Sequence, residues 1–374
     1  MLKIFRIPEK APERSTYLLH LAYSIIEGVI LGILALNEFV FLKSLKGSNL
    51  QVGLLFQASV FVLVFSVLLN EWVNRVRNKQ RFILLTAIFT RLPLTALVFF
   101  PADPANHPQM AVFHYLFLLI FLIYYFANPI LYPVINLFLK KNYSHQNFGI
   151  LYSHATTINK IVMLLVTFFY GLLLDYEPQS YRFVFPLVAI LGILSVWLFS
   201  RIPYTSDEYQ GQSRSLFGNL SFSWSKMRSI LKSNKAFRRF EVSFMYYGFA
   251  FMGTVSVITI FYEVALGLNY SSVAFYRNSY NLLAIVLLPF FGRLMGKIAP
   301  RKFAAITFGS LLFYLLFIML TEYFPAKTEI FGIQVYYCLF VAMLFNGVFA
   351  ATMSLLWSIG SAYFCKREEA SDYQ

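Results

Sequence analysis

The stretch GRLMGKIAPRKF, residues 292–303, sets four basic side chains, Arg293, Lys297, Arg301 and Lys302, between two long apolar runs. NEWVNRVRNKQRF, residues 70–82, places Arg75, Arg77, Lys79 and Arg81 in the same setting; Gly292 follows Asn70 by 222 residues. Two short basic loops at matching points of two hydrophobic halves ask for a common cause. The composition around them supplies the frame. The 374 residues are 59% hydrophobic and 13% charged, where soluble domains carry about 25% charged residues. The mean hydropathy is +0.63. The apolar residues come in blocks of about 20, the helical length that crosses a hydrocarbon core of about 30 Å. The fold class is an all-α polytopic membrane protein.

Ten spans fit the chain, at 17–42, 50–71, 82–100, 110–138, 147–174, 183–200, 241–266, 272–292, 303–321 and 331–359. Proline, glycine and charge separate them, as in PADPANHPQ (101–109) and DYEPQSYR (175–182). Basic residues in the loops set the orientation. One face holds Lys3, Arg6, Lys10, Arg14, the four of 75–81, Lys140, Lys141, eight between 201 and 239, the four of the opening stretch, Lys366 and Arg367. The other holds only Lys43, Lys46, Arg182 and Lys327. This imbalance puts both termini and the basic loops in the cytoplasm. The long polar segment 202–240 divides the spans into six and four. Its second part, WSKMRSILKSNKAFRRF, reads either as an amphipathic helix on the inner membrane surface or as a solvated linker. Three domains of organisation follow: 1–201, a six-helix bundle; 202–240, a cytoplasmic linker; and 241–374, a four-helix bundle.

The echo extends beyond the two loops. Gln51-Val52-Gly53 opens the second span and Ser272-Val273-Ala274 the eighth; FLKKNYSHQNFG (138–149) follows the fourth span and YFCKREEASDYQ (363–374) the tenth. A near-constant offset at three landmarks indicates duplicated halves in parallel orientation, a pattern of transporter folds. On these residues the chain, over 16–374, resembles the major facilitator superfamily (MFS). That family carries a basic loop, roughly G-x-x-x-D-R-x-G-R-[KR], after the second span and a copy after the eighth. Gly292-x-x-x-Gly296-Lys297-x-Ala299-x-Arg301-Lys302 and Asn70-x-x-x-Asn74-Arg75-x-Arg77-Asn78-Lys79 are similar to it, with Gly296 and Asn74 where the family has Asp. The resemblance implies an MFS-like two-domain helical bundle, here six helices plus four of an expected six. It implies a secondary transporter with a small-molecule substrate in the lipid bilayer. The second half stops at the counterpart of Gly149, so the sequence is expected to be truncated after the tenth helix. Asn74, Arg75, Arg77, Gly292, Lys297 and Arg301 read equally as gating loops and as charges that only fix topology.

Ionisable side chains inside a membrane are costly and mark pathways by default. Glu27 lies near mid-membrane in the first span, beside Gly28 and Gly32. Lys160 lies at matching depth in the fifth, and Arg91 in the third, just before Pro93. A Glu27–Lys160 pair is the sharpest expectation, able to exchange a proton or an anionic substrate group; a static ion pair or a snorkelling lysine are the alternatives. By the resemblance, the first, fourth, seventh and tenth spans line a central cavity. In the fourth, YYFANPILYP (124–133) sets Asn128 before Pro129, with Pro133 following, a kink suited to a gate or simply fixed. Asn346, Tyr246 and Tyr247 are candidate substrate contacts, with packing the alternative for the tyrosines. Arg277 sits in the outer part of the eighth span, within reach of the interface.

Several classes are excluded. No G-x-x-x-x-G-K-[ST] loop is present, so ATP does not drive the protein. Cys338 and Cys365 are isolated and the five histidines are dispersed, so neither metal, cofactor nor disulfide is expected. The basic segments lack the stacked aromatics of nucleic-acid binders. No catalytic residues are assigned and the protein is not expected to be an enzyme. The reading is a secondary active transporter working by alternating access, with proton coupling one option, in a bacterial inner membrane; a monomer is the expectation. The rivals are a non-transporting MFS-like protein or inactive fragment and, more remotely, an intramembrane enzyme.

Overall fold

The computed structural model describes residues 11–66, 69, 73, 76–102, 110–204, 225, 227–295 and 297–359. The chain divides into two compact units, Met1–Leu220 and Ser221–Gln374. In the first unit the spans are Ala11–Leu34 continued by Asn37–Lys43, then Asn49–Val64, and then Lys79–Arg91 continued by the 3-10 helix Leu92–Phe99. Met110–Tyr125 continued by Asn128–Asn142 is the fourth, followed by His145–Tyr176 and Tyr181–Phe199. The second unit holds the seventh to tenth spans, Lys235–Val264, Tyr270–Met295, Pro300–Tyr323 and Tyr337–Ile359. The helices start where the loops supply caps. Ser48 and Gln51 form a capping box, Asn78 accepts from the Arg81 amide, and Asn234 accepts from the Phe237 amide. Each satisfies an amide that the first turn leaves unpaired.

Among the described residues, 8 segments are long and apolar enough to cross a membrane. The second span falls short because only 16 residues of it form the described helix. The eighth is diluted by its first half, YSSVAFYRNSYN. Side chains such as Phe99 and Phe249, 80% and 87% exposed, face outward, where lipid replaces the partners a soluble core would need. Three span starts differ from the sequence reading by six residues: the first begins at Ala11, not at 17, the seventh at Lys235, not at 241, and the tenth at Tyr337, not at 331. Residues 327–336 form an antiparallel hairpin, Lys327–Ile330 with Ile333–Tyr336. Its two-residue loop, Phe331-Gly332, has φ of +52° and +78°, the geometry that matches strand twist in tight hairpins. The hairpin docks on the eighth span. The Tyr276 hydroxyl donates to the Gln334 carbonyl at 3.0 Å and accepts from the Tyr336 amide at 2.7 Å.

Side-chain bonds knit the loops of the first unit into two ends. At one end the buried Glu13 accepts from the amide and hydroxyl of Ser144 and from Asn147, each at 3.0 Å. The first span thereby caps the N-terminus of the fifth, where a carboxylate also meets the positive end of the helix dipole. Gln80 donates to the Ile202 carbonyl and Asn142 to that of Pro203, tying the second and fourth connections to the exit of the sixth span. At the opposite end Ser44 donates to the Pro178 carbonyl, a His114 ring nitrogen lies 2.7 Å from the Leu45 carbonyl, and Arg182 donates to the Val98 carbonyl. Alternate connections therefore gather at alternate ends, as the charge pattern requires.

The first and fifth spans pack closely through their glycines. A β-carbon at Gly28 would sit 2.6 Å from the Asn159 carbonyl oxygen, and one at Gly32 would sit 2.8 Å from that of Met163. Small residues let helices approach within membranes, where lipid offers no hydrophobic drive for association. Asn159 donates to the Ser24 carbonyl at 2.8 Å and Thr167 to that of Gly32 at 3.0 Å. Replacing Gly32 with Leu is expected to cost about 1–3 kcal/mol through overpacking, read as a lowered unfolding midpoint of the purified protein. An unchanged midpoint would show that this contact yields freely.

Candidate functional site

Among the described residues, the first, third and fourth spans of the first unit break their helical regularity. The first is interrupted between Leu34 and Asn37, where the Leu36 amide bonds to the Ile33 carbonyl, three residues back. The third changes from α to 3-10 geometry after Arg91, with Pro93 in the first turn of the new segment. Eight residues are long for a 3-10 run, which seldom exceeds three or four. The fourth breaks between Tyr125 and Asn128; Pro129 has no amide to donate. All three breaks border one cavity of about 220 Å³, lined among others by Glu27, Leu34, Ala35, Arg91, Tyr125, Asn128 and Tyr132.

Glu27 and Arg91 meet in its wall. Arg91 Nη2 lies 3.4 Å from Glu27 Oε1. The Ser195 hydroxyl, on the sixth span, donates to that same oxygen at 2.7 Å. The Arg91 side chain is 4% exposed and that of Glu27 12%. The Tyr124 ring covers the guanidinium, its centroid 5.4 Å from Cζ, a favourable placement for a cation over a π face. The sixth span makes room for this through Gly192, where a β-carbon would overlap Arg91 Nε and Cδ. Glycine is required there by space, not by backbone conformation. Arg91 Nε and Nη1 are buried and make no hydrogen bond among the described residues.

The structure brings three of the sequence candidates together: Glu27, Arg91 and Asn128 share one cavity. The Glu27–Lys160 pairing is corrected. Glu27 is engaged by Arg91 and Ser195, and Lys160 is exposed. The physical reason is rotation about the helix axis. Gly28 faces Asn159 and Val162, so both residues do sit at matching depth. One residue along each helix turns the side chain by about 100°, away from that contact. In the second unit Tyr247 packs among Phe251, Phe308 and Phe349 with ring centroids 5.4, 5.8 and 5.8 Å away, so it serves the core. Tyr246 is exposed, and Asn346 and Arg277 are half-buried. Of the basic-loop candidates, Asn74 and Arg75 lie outside the described residues. Arg77, Lys297 and Arg301 are exposed, and Gly292 is exposed with no atom close to where its β-carbon would stand. Lys79 turns inward instead, donating to the carbonyls of Val73 at 2.9 Å and Val76 at 3.0 Å. Ser195 and Gly192 escaped the sequence reading because a small residue in an apolar span carries no signal of its partner.

Removing one member of a buried ion pair strands the other charge, at about 3–5 kcal/mol. Arg91→Ala alone is therefore expected to destabilise the protein more than the double variant Glu27→Ala/Arg91→Ala. A double-mutant cycle on unfolding midpoints measures this; purely additive effects would contradict the pairing.

The sequence matches the Major Facilitator Superfamily over residues 16–371. Among solved structures, the chain is similar to a bacterial homologue of the human lysosomal transporter Spinster in an inward-facing, unoccupied conformation. The TM-score is 0.67 at 16% identity, covering 98% of this chain and 78% of that one. It is also similar to the nucleoside transporter NupG, with a TM-score of 0.63 at 14% identity, covering 98% of this chain and 85% of that one. No curated protein matches in sequence. These likenesses establish the fold, and the family match over nearly the whole length establishes more: the chain is an integral, multi-pass α-helical membrane protein that belongs to the Major Facilitator Superfamily of transporters.

Proposed function

We propose that the protein is a secondary active transporter of a small solute that couples translocation to a proton carried by Glu27. The observation that carries this reading is the buried Glu27–Arg91–Ser195 cluster, set in the wall of a cavity that three interrupted spans border. An ionisable pair is expensive in this environment and marks a pathway by default. Protonating Glu27 removes its attraction for Arg91, and the pair becomes a switch between two charge states. Alternating access is then the mode of transport, as in other transporters built from repeated helical bundles. The excess of basic residues on one set of loops supports cytoplasmic termini, and the short loops fit a bacterial inner membrane.

The test is uptake into proteoliposomes from a panel of small solutes, neutral and charged, with an imposed pH gradient. The wild-type protein is expected to accumulate at least one solute faster when the outside is acidic, and to lose that advantage when the gradient is collapsed. Glu27→Gln, which keeps the shape and removes the titration, is expected to abolish gradient-driven accumulation while leaving exchange down the solute's own gradient. If Glu27→Gln retains both uptake and its pH dependence, the assignment of the proton to Glu27 is wrong.

A further inference from the structure

Resting on the transport reading above, we infer that the cavity beside Arg91 binds a small organic carboxylate, with Glu27 acting as the internal carboxylate that the ligand displaces. Arg91 carries five N–H donors. It is 3% exposed, yet its one contact to an oxygen is Nη2 to Glu27 at 3.4 Å, and Nε and Nη1 are unpaired among the described residues. Charge-assisted bonds of this type run about 2.7–2.9 Å and are commonly bidentate. The guanidinium is therefore held loosely and used at a fraction of its capacity. Glu27 has a second anchor in Ser195, whose hydroxyl donates to Oε1 at 2.7 Å. Glu27 can release Arg91 and keep a hydrogen-bond partner; Arg91 cannot release Glu27 without a replacement oxygen.

The cavity sets the size and body of that replacement. At about 220 Å³ it holds the volume of about seven waters, matching a solute of about ten non-hydrogen atoms. Its wall is mainly aromatic and aliphatic, with Leu31, Tyr125 and Tyr132, and Asn128 adds an amide. Such a wall suits a compact apolar body and leaves the anionic end to Arg91.

Charge balance links the ligand to the proton. Glu27 and Arg91 together are neutral. A second carboxylate beside ionised Glu27 would leave an uncompensated negative charge in a buried site. Protonation of Glu27 removes that cost, so anion and proton enter together. The titratable groups facing Glu27 are Arg91 on the third span, Tyr23 on its own span, and Tyr124 and Tyr132 on the fourth. The sixth span offers Ser195, which does not titrate in this range. Glu27 is the sole carboxylate lining the cavity among the described residues.

Benzoate and benzamide, with about nine non-hydrogen atoms each and nearly one shape, separate charge from fit. Ligand-induced shifts of the unfolding midpoint of the purified full chain are the readout. Benzoate is expected to raise the midpoint with concentration and benzamide to leave it unchanged. The benzoate affinity of the wild type should fall as the pH rises, by at most about tenfold per unit for one linked proton. Glu27→Gln should retain the response and make it independent of pH. Glu27→Gln/Arg91→Gln, which strands no charge, should fold and lose the response. Equal stabilisation by benzamide, no benzoate response in the wild type, or a response surviving in the double variant would each overturn the inference. Proton-driven uptake of a neutral solute alongside a failed benzoate response would leave the transporter reading standing and remove only the anion.

Discussion

A carboxylate and a guanidinium, both withdrawn from water and joined by one long contact, set the terms for much of the first unit. Arg91 needs the glycine at 192 to have room and the Tyr124 face to lie against. Glu27 needs Ser195, because an ionised carboxylate with a single distant partner would be poorly compensated. Four different spans thus contribute to one charge pair. The same neighbourhood contains the interruptions of the first, third and fourth helices. A regular helix hides its backbone groups; an interrupted one lets the chain bend where its side chains meet the cavity. The costly charges and the bendable backbone coincide, which is the combination a moving site requires.

Rigidity is placed elsewhere. The ends of the first unit are tied by bonds from Glu13, Gln80, Asn142, Ser44 and Arg182 to other segments. The first and fifth spans close on each other through Gly28 and Gly32. The ends of the unit are thus fixed around a loosely held centre. The basic loop after the second span takes part in this fixing. Lys79 binds carbonyls of its own loop, while Arg77 stays exposed. One loop therefore serves structure with one cation and leaves another free for the surface.

The sequence made depth legible and azimuth illegible. Span limits follow from hydropathy, which measures length along the membrane normal, and the helices begin and end within a few residues of the expected positions at most boundaries. The depth of Glu27 and of Lys160 was readable in the same way, and the spans that carry them do pack together. Which face each residue takes depends on how helices pair, and a single sequence does not encode that locally. Glu27 consequently met Arg91 and not Lys160. Asn128 and the kink were readable because proline removes a donor whatever its surroundings. The hairpin before the tenth span was masked by averaging, since IQVY merges into the apolar run behind it. Its alternating strands and Gly332 were the available cue.

The central claim is that Glu27 changes protonation state within this cluster. Infrared difference spectroscopy of the reconstituted protein between neutral and acidic pH tests it without knowledge of the substrate. The account predicts a protonated carboxylic acid band in the wild type that is absent from Glu27→Gln and altered in Ser195→Ala, whose hydroxyl donates to that carboxylate. Identical difference spectra for wild type and Glu27→Gln would contradict it, leaving the pair a static strut.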